Sequence, residues 1–270
     1  LQRQQLYDEN DVAERLPKAV AAARRLRAIN SDITIEEHIA DVTADNVNKL
    51  IEDIDVLVDG TDNFDTRYLL NDAAVRAGVP WVYGGVLGTE GTVLAVRPGT
   101  GPCLRCLFGE PPDGSGLPTC ETYGVLGAAV SWVAALQVTE TLKLLVGSAP
   151  EGNEATLYSL DIWGGALYPT RAQRSESCPC CQERRFDFLD ERRGAQSTSL
   201  CGRNAVQVSP DRPRAAPLDL QALGDNLEAH GELRDSGMLL ELTLGETSGH
   251  PGKRLVVFPD GRVLVMGTTD

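Results

Sequence analysis

The chain has 270 residues, of which 42% are hydrophobic and 24% charged, and this composition excludes disordered and collagen-like proteins. The length allows one large domain, or one domain with a smaller second one. The formal net charge of −14 disfavours nucleic acid as the main partner, because surfaces that bind nucleic acid are basic.

The start of the chain and its cysteines indicate a cytoplasmic protein. No signal-like segment opens the sequence, and because the first residue is Leu1 and already resembles the inside of a domain, we expect a truncated start. The longest uncharged stretch, residues 122–139, contains polar residues and glycines, which favours a buried helix over a membrane span. Seven cysteines, an odd number, with two Cys-x-x-Cys pairs, indicate a reducing compartment and a metal rather than disulfides.

The first part of the chain alternates between helical and strand patterns. We predict helices after Pro17 up to Ile29, from Thr43 to about Glu52 and over Phe64–Ala77, and strands at Ile33–Ile35, Val56–Val58, Pro80–Tyr83 and Thr92–Val96. Such alternation predicts a doubly wound, Rossmann-like α/β sheet, in which ligands bind beyond the carboxyl ends of the strands. The polar turn Asp59–Asn63 and the pair Gly84–Gly85 are expected at that edge.

The rest of the chain contains the end of this domain and a second, smaller one. We predict a long helix at Tyr123–Val146, strands at Ala155–Ile162 and Ala166–Tyr168, and a boundary in the polar segment 173–185. A small α+β domain follows, with strands at Ala205–Val208 and Leu239–Leu244, a helix at Leu218–Ala229, and a hairpin of Lys253–Phe258 and Arg262–Met266 closed by Asp260-Gly261. The predicted domains are therefore 1–185 and 186–270.

Two Cys-x-x-Cys pairs give the most specific motif in the sequence. They are Cys103 with Cys106 and Cys178 with Cys181. Four thiolates suit tetrahedral zinc with no open position, so we predict a structural zinc site that joins two distant loops. Free buried cysteines are the alternative, and Cys180 is a spare thiol between two predicted ligands.

Cys120 lies just before the long predicted helix and is a candidate nucleophile. The dipole and the unpaired N–H groups of a helix start favour a thiolate. The neighbouring Glu121 disfavours it, and a single loop cysteine is more often incidental than catalytic.

Three charged residues match the needs of phosphoryl or nucleotidyl transfer. Arg3 and Lys18 are cations near the chain start, and Asp62 follows an apolar strand, where it can hold Mg2+. The alternative for each residue is a structural one: Arg3 and Lys18 would be solvated surface cations, and Asp62 would be an aspartate that stabilises a turn. Neither a Gly-x-Gly-x-x-Gly sequence after a strand nor a Walker loop is present.

Taken together, the motifs of residues 1 to about 185 resemble the ThiF/MoeB family, bacterial relatives of ubiquitin-activating enzymes. The resemblance rests on five motifs in the right order. These are Leu1-Gln2-Arg3-Gln4, Pro17-Lys18, Asp59 to Asn63 with Thr66-Arg67, the two cysteine pairs, and Cys120 with Gly124 to Gly127.

The resemblance implies an enzyme that uses ATP and Mg2+ to adenylate the C-terminal carboxylate of a ubiquitin-like sulfur carrier ending in Gly-Gly. It implies nucleotide contacts by residues from the matching motifs and a sulfur- or acyl-carrying role for Cys120. The implied nucleotide-binding residues are Leu1, Gln2, Arg3, Lys18, Asp62, Asn63 and Arg67. A persulfide donor and a homodimer are also implied. Residues 186–270 are then a candidate for docking the carrier protein.

Two other functions remain open from the sequence. One is a relative that activates a modified tRNA base, which the acidic charge and the combination of Cys120 with a zinc motif disfavour. The other is a non-catalytic scaffold subunit, which the retained Arg3, Lys18 and Asp62 disfavour.

Overall fold

The computed structural model describes residues 1–111, 123–149, 152–190, 197–200, 204–210, 214, 216–246 and 249–268. The chain divides into two compact units, Leu1–Arg193 and Gly194–Asp270. The segment after the predicted boundary at residue 185 packs with the first unit, because Phe186, Phe188 and Leu189 lie in its core.

Helices and one mixed sheet build the first unit. In chain order its elements are α1 (Glu9–Ala13), α2 (Lys18–Ile29), α3 (Val47–Leu50), β1 (Leu57–Val58), α4 (Phe64–Ala77), β2 (Trp81–Leu87), β3 (Glu90–Val96), α5 (Leu104–Phe108), α6 (Gly127–Leu145), β4 (Glu154–Asp161), β5 (Ala166–Gln173) and α7 (Asp187–Asp190). The α/β class predicted from the sequence is confirmed.

The sheet has the strand order β1-β2-β3-β4-β5. Strand β1 pairs with β2 in parallel, whereas the other three pairings are antiparallel, so the sheet is mixed. Its two faces carry separate apolar clusters, with Trp81 and Tyr83 on the side of α4 and Val82 with Val133 of α6 on the other. Because side chains alternate along a strand, α4 and α6 cover opposite faces.

Helix α4 has the bounds predicted from its sequence. Asn63 caps its start by accepting a hydrogen bond from the Thr66 N–H at 2.8 Å. Gly78 follows its end with φ of 76°, a left-handed conformation that favours glycine.

The predicted strand at Ile33–Ile35 is wrong. These residues have no strand partner among the described residues, and Ile33 is 54% exposed. The Ile35 carbonyl instead accepts a hydrogen bond from Arg27 Nη2 at 2.6 Å. Its hydrogen-bond partner is therefore a side chain and not the backbone of another strand.

Two predicted helices are shorter than expected. The helix predicted from Thr43 is limited to Val47–Leu50, because the Thr43 N–H bonds to the Asn46 side chain in a turn. The long helix begins at Gly127 rather than Tyr123, since the backbone at Gly124 and Leu126 bonds to Gly88 at the end of β2.

The second unit contains six strands and one α-helix among the described residues. Its elements are β6 (Ser197–Leu200), β7 (Ala205–Val208), α8 (Leu220–Leu227) with a 3-10 turn at Glu228–His230, β8 (Gly231–Asp235), β9 (Leu240–Leu244), β10 (Arg254–Val257) and β11 (Val263–Met266). The six strands form an antiparallel sheet in the order β6-β7-β11-β10-β9-β8, and α8 packs on β8 and β9. The predicted turn at Asp260-Gly261 joins β10 to β11, with Gly261 at φ of 91°.

Among the described residues, the structure contains no helix that is both long and apolar enough to cross a membrane.

Candidate functional site

A polar loop follows β1, and its shape is fixed by the buried carboxylate of Asp59. Asp59 Oδ1 accepts hydrogen bonds from the N–H and the hydroxyl of Thr61, at 2.8 and 2.7 Å. Asp62 and Asn63 follow on the solvent-exposed part of the loop, where Asn63 also caps α4. The loop therefore presents an exposed carboxylate at the carboxyl end of a parallel strand, where ligands bind in α/β proteins.

Arg67 holds this loop against β2 from inside the protein. Its Nε donates to Asp59 Oδ2 at 3.1 Å, and its Nη2 donates to the carbonyls of Thr61 at 2.6 Å and Gly84 at 3.0 Å. The guanidinium also lies over the Tyr83 ring, 5.4 Å from its centroid. Because Nε and Nη2 are bonded to groups of the protein itself, Arg67 stabilises the loop and does not extend into solvent.

Gln137 of α6 holds the same loop from the other face of the sheet. Its Nε2 donates to the backbone carbonyls of Asp59 at 2.8 Å and Val82 at 3.2 Å. A Cβ at position 84 would lie 2.5 Å from Gln137 Cδ, so a larger residue there would displace the Gln137 amide from these carbonyls. The sequence signals this residue weakly, as a polar side chain in an apolar helix.

The first residues of the chain lie along the start of α6. Gln2 Nε2 donates to the Val125 carbonyl at 3.4 Å, and a Cβ on Gly127 would lie 2.9 Å from the Gln2 carbonyl oxygen. Leu1 is exposed and Arg3 is half-buried beside this contact. An open groove of about 640 Å3 runs along this part of α6, lined by Gln2 and Trp132 among others.

The predicted site residues thus fall into separate parts of the first unit. Asp62, Asn63 and Arg67 share one loop, and Leu1, Gln2 and Arg3 lie along α6. Lys18 is exposed at the first position of α2, directly after Pro17. Cys120 lies outside the described residues.

The four cysteines of the two Cys-x-x-Cys pairs converge on one point. Sulfur–sulfur distances are 3.9 Å for Cys103–Cys106, 3.5 Å for Cys103–Cys178 and 3.4 Å for Cys106–Cys181, and all four sulfurs lie within 4.8 Å of one another. A tetrahedron with zinc–sulfur bonds of about 2.3 Å has edges of about 3.8 Å, so the donor set fits zinc in size and chemistry.

The thiol cluster is largely buried and its members exchange hydrogen bonds. Hydrogen bonding with Cys103 lowers the pKa of the Cys106 thiol and lowers that of Cys178 to about 6, whereas in the same thiol network the pKa values of Cys103 and Cys181 are raised. Deprotonated sulfur is the form that binds a metal, so the packing favours the ligand state in part of the cluster.

Polar side chains of α4 and α5 surround the cysteine cluster, and the sequence gives no sign of them. Asn71 and Asp72 are fully buried in α4, and Arg105 is buried in α5 with its Nη2 donating to Asp187 Oδ2 at 3.0 Å. Burial raises the pKa of Asp72 to about 6. No pattern along the chain distinguishes these residues from ordinary surface polar residues.

The fold and the site define an α/β protein with a loop suited to ligands after its parallel strand and a thiol cluster suited to a metal. A family model described as the ThiF family matches residues 1–180. The chain belongs to the ThiF family.

Individual relatives agree with this assignment. A sulfur carrier protein ThiS adenylyltransferase of Bacillus subtilis is 41% identical over 100% of this chain and 77% of its own length. A SAMP-activating enzyme E1 of Haloferax volcanii is 37% identical over 71% of this chain and 69% of its own length. The crystal structure of E. coli MccB with ATP superposes with a TM-score of 0.54 and 20% identity, over 67% of this chain and 55% of that one, and shows a shared fold.

The buried ion pair gives a direct test of how the loop is held. Arg67→Ala leaves the fully buried Asp59 carboxylate unpaired, and we expect it to lower the free energy of unfolding by about 3–5 kcal/mol. Arg76→Ala is the matched control on the same helix, because its ion pair with Asp190 is exposed, and we expect a loss below about 1 kcal/mol. Urea unfolding of both variants measures the difference, and equal losses would contradict the assigned role of Arg67.

Proposed function

We propose that this chain is an ATP-dependent adenylyltransferase that activates the C-terminal carboxylate of a ubiquitin-like sulfur-carrier protein. The observation that carries the proposal is the 41% identity, over the whole chain, to a relative named as the adenylyltransferase of such a carrier. The second relative is named as an activating enzyme for another protein partner, SAMP.

The proposed reaction makes a poor electrophile reactive. A carboxylate oxygen of the carrier attacks the α-phosphorus of ATP, one phosphorus–oxygen bond forms and another breaks, and pyrophosphate leaves. The product is an acyl adenylate, whose AMP group is a good leaving group. Because the chemistry depends on positioning and on neutralising phosphate charge, the protein needs a fixed loop and nearby cations.

The loop after β1 supplies the fixed part of the proposed nucleotide site, at the carboxyl end of a parallel strand in the mixed sheet. Asp62 would hold Mg2+, since its carboxylate is exposed and offers the oxygen ligands that this ion prefers. Mg2+, when bound, neutralises phosphate charge. Asn63 would lie beside the nucleotide, and Arg67 would act through the loop, because its Nε and Nη2 are bonded to Asp59, Thr61 and Gly84.

The chain start supplies the cationic part of the proposed site. Arg3 and Lys18 would contact the phosphates, with Leu1 and Gln2 shaping the backbone beside the nucleotide. In support, the Gln2–Arg3 backbone has a defined place against Gly127, where a Cβ would meet it. A backbone held in this way keeps its side chains in position without ordering cost when the nucleotide binds.

The cysteine cluster has a different proposed role, as a structural zinc site. Four thiolates leave no open coordination position, so zinc would do no chemistry there and would join the start of α5 to the loop before α7. Cys103, Cys106, Cys178 and Cys181 would be the ligands.

Asp62→Ala tests the proposed nucleotide site. We expect carrier-dependent ATP–pyrophosphate exchange by the full-length protein to fall at least about 100-fold, because a charge-positioning group at the phosphates is lost. The side chain is exposed, so the unfolding free energy should not change. Asp65→Ala, an exposed aspartate in the first turn of α4, is the control and should keep its activity. Near-normal exchange by Asp62→Ala at limiting Mg2+ would refute the assignment.

Cys120→Ala separates adenylation from the later transfer. If the Cys120 thiolate attacks the acyl carbon, a thioester forms and AMP leaves; a hydrosulfide from the sulfur donor then attacks this thioester, which releases the carrier thiocarboxylate and the Cys120 thiol. The variant should therefore release pyrophosphate normally and fail to form the carrier thiocarboxylate. The reason is the order of events, since no thiol takes part until the adenylate exists. Pyrophosphate and thiocarboxylate are measured separately, and a normal thiocarboxylate yield with a physiological sulfur donor would remove Cys120 from the mechanism.

Cys178→Ser tests the zinc site. We expect one zinc per chain in the unmodified protein purified without chelators, and little zinc and a lower thermal unfolding temperature in the variant, because a metal site contributes folding free energy. Cys201→Ser, which removes a cysteine outside both pairs, should change neither quantity. The measurement is metal analysis by mass spectrometry together with calorimetry, and zinc-free unmodified protein would exclude the site.

A further inference from the structure

One fully buried side-chain amide touches both loops of the cysteine cluster. Asn71 Oδ1 accepts a hydrogen bond from the Leu104 N–H at 2.9 Å, and Asn71 Nδ2 donates to Cys180 Sγ at 3.3 Å. Leu104 directly follows Cys103, and Cys180 directly precedes Cys181. The oxygen of the Asn71 amide is thus bonded next to Cys103, and its nitrogen is bonded next to Cys181.

Asp72, the next residue of α4, adds a second link to the same region. Its Oδ2 accepts a hydrogen bond from the Phe188 N–H at 3.0 Å, and its Oδ1 lies 3.4 Å from Asn71 Nδ2. Phe188 belongs to the segment that leaves the second cysteine loop. Helix α4 therefore contacts both sides of the cluster through neighbouring polar residues.

We propose that Asn71 is a positioning residue for the zinc site, holding the two cysteine loops at their ligand spacing with Cys180 as its anchor rather than as a ligand. The inference rests on the proposed zinc site and adds a residue that supports it. Residues that orient metal ligands from behind often change metal affinity by about 10–100-fold when they are altered.

Two physical facts make the amide well suited to this role. The loops are 75 residues apart in sequence at Cys103 and Cys178, so chain connectivity does not hold them together. A buried amide must also be bonded to be tolerated, and the two shorter hydrogen bonds of Asn71 exist only while both loops stay in place, since its third contact, with Asp72 Oδ1, is at 3.4 Å. Loss of either contact therefore costs free energy, which favours the arrangement in which the four sulfurs converge.

The bonding of Cys180 explains why this thiol stays outside the set of four. The sulfurs within 4.8 Å of one another are those of Cys103, Cys106, Cys178 and Cys181. Cys180 is completely buried, and its sulfur is engaged by Asn71 in α4. A sulfur bonded to α4 is restrained from replacing Cys181, so Asn71 also helps to determine which of the two neighbouring thiols is the ligand.

The test is the rate at which the full-length zinc-loaded protein gives up its metal to a chromogenic chelator. Asn71→Leu keeps a similar volume and removes the hydrogen bonds to both loops, and we expect it to release zinc about 10–100-fold faster. Leu70→Ala is the matched control, because it opens a cavity one residue away in the same core without removing a polar contact to the loops. It should release zinc at close to the unmodified rate, under conditions where circular dichroism shows both variants folded.

Cys180→Ala provides a second, milder variant in case Asn71→Leu does not fold. It removes the contact with one loop and leaves the bond to Leu104, so release should be faster than in the unmodified protein and slower than in Asn71→Leu. Unchanged release from Cys180→Ala, or equal release from Asn71→Leu and Leu70→Ala, would overturn the positioning role while leaving the zinc site intact. Unmodified protein without zinc would instead refute the zinc site itself, and this inference with it.

Discussion

The first unit depends on the ion pair between Asp59 and Arg67, which joins three elements inside the protein. Asp59 directly follows β1, Arg67 lies near the start of α4, and the Gly84 carbonyl of β2 accepts from the same guanidinium. A buried charge is costly unless it is paired and hydrogen-bonded. Here the cost of burying the Asp59 carboxylate is offset by Arg67 and by two hydrogen bonds that Thr61 donates to it. The same hydrogen bonds fix the shape of the loop.

Helix α4 connects that loop to the cysteine cluster. Its cap, Asn63, lies in the loop, and Asn71 and Asp72 lie about two turns further along, roughly 12 Å at 1.5 Å per residue. A single helix therefore positions both the loop after β1 and the cysteine cluster. This explains why so many polar residues of α4 are buried, which an amphipathic surface helix would not tolerate.

The parts of the structure that the sequence predicts well are those determined by local chemistry. The bounds of α4 follow from Asn63 and Gly78, whose capping preferences act within a few residues. The convergence of the four cysteines follows from their paired spacing. In contrast, the contacts of Gln137 with Asp59 and of Asn71 with Cys180 span 78 and 109 positions, and no local pattern reveals them. The failed strand at Ile33–Ile35 has the same origin, since a strand exists only where a partner strand lies beside it.

The charge of the chain explains why the proposed site needs this internal order. A formal charge of −14 repels a nucleotide, so the acidic groups beside a phosphate site must be either neutralised or used. Arg67 neutralises Asp59, and Asn63 rather than a carboxylate caps the neighbouring helix. Asp62 is left as an exposed carboxylate of the loop, available to a cation that the phosphates also bind. The buried ion pair thus fixes the shape of the loop and neutralises Asp59, and the exposed Asp62 supplies the negative charge that the loop presents.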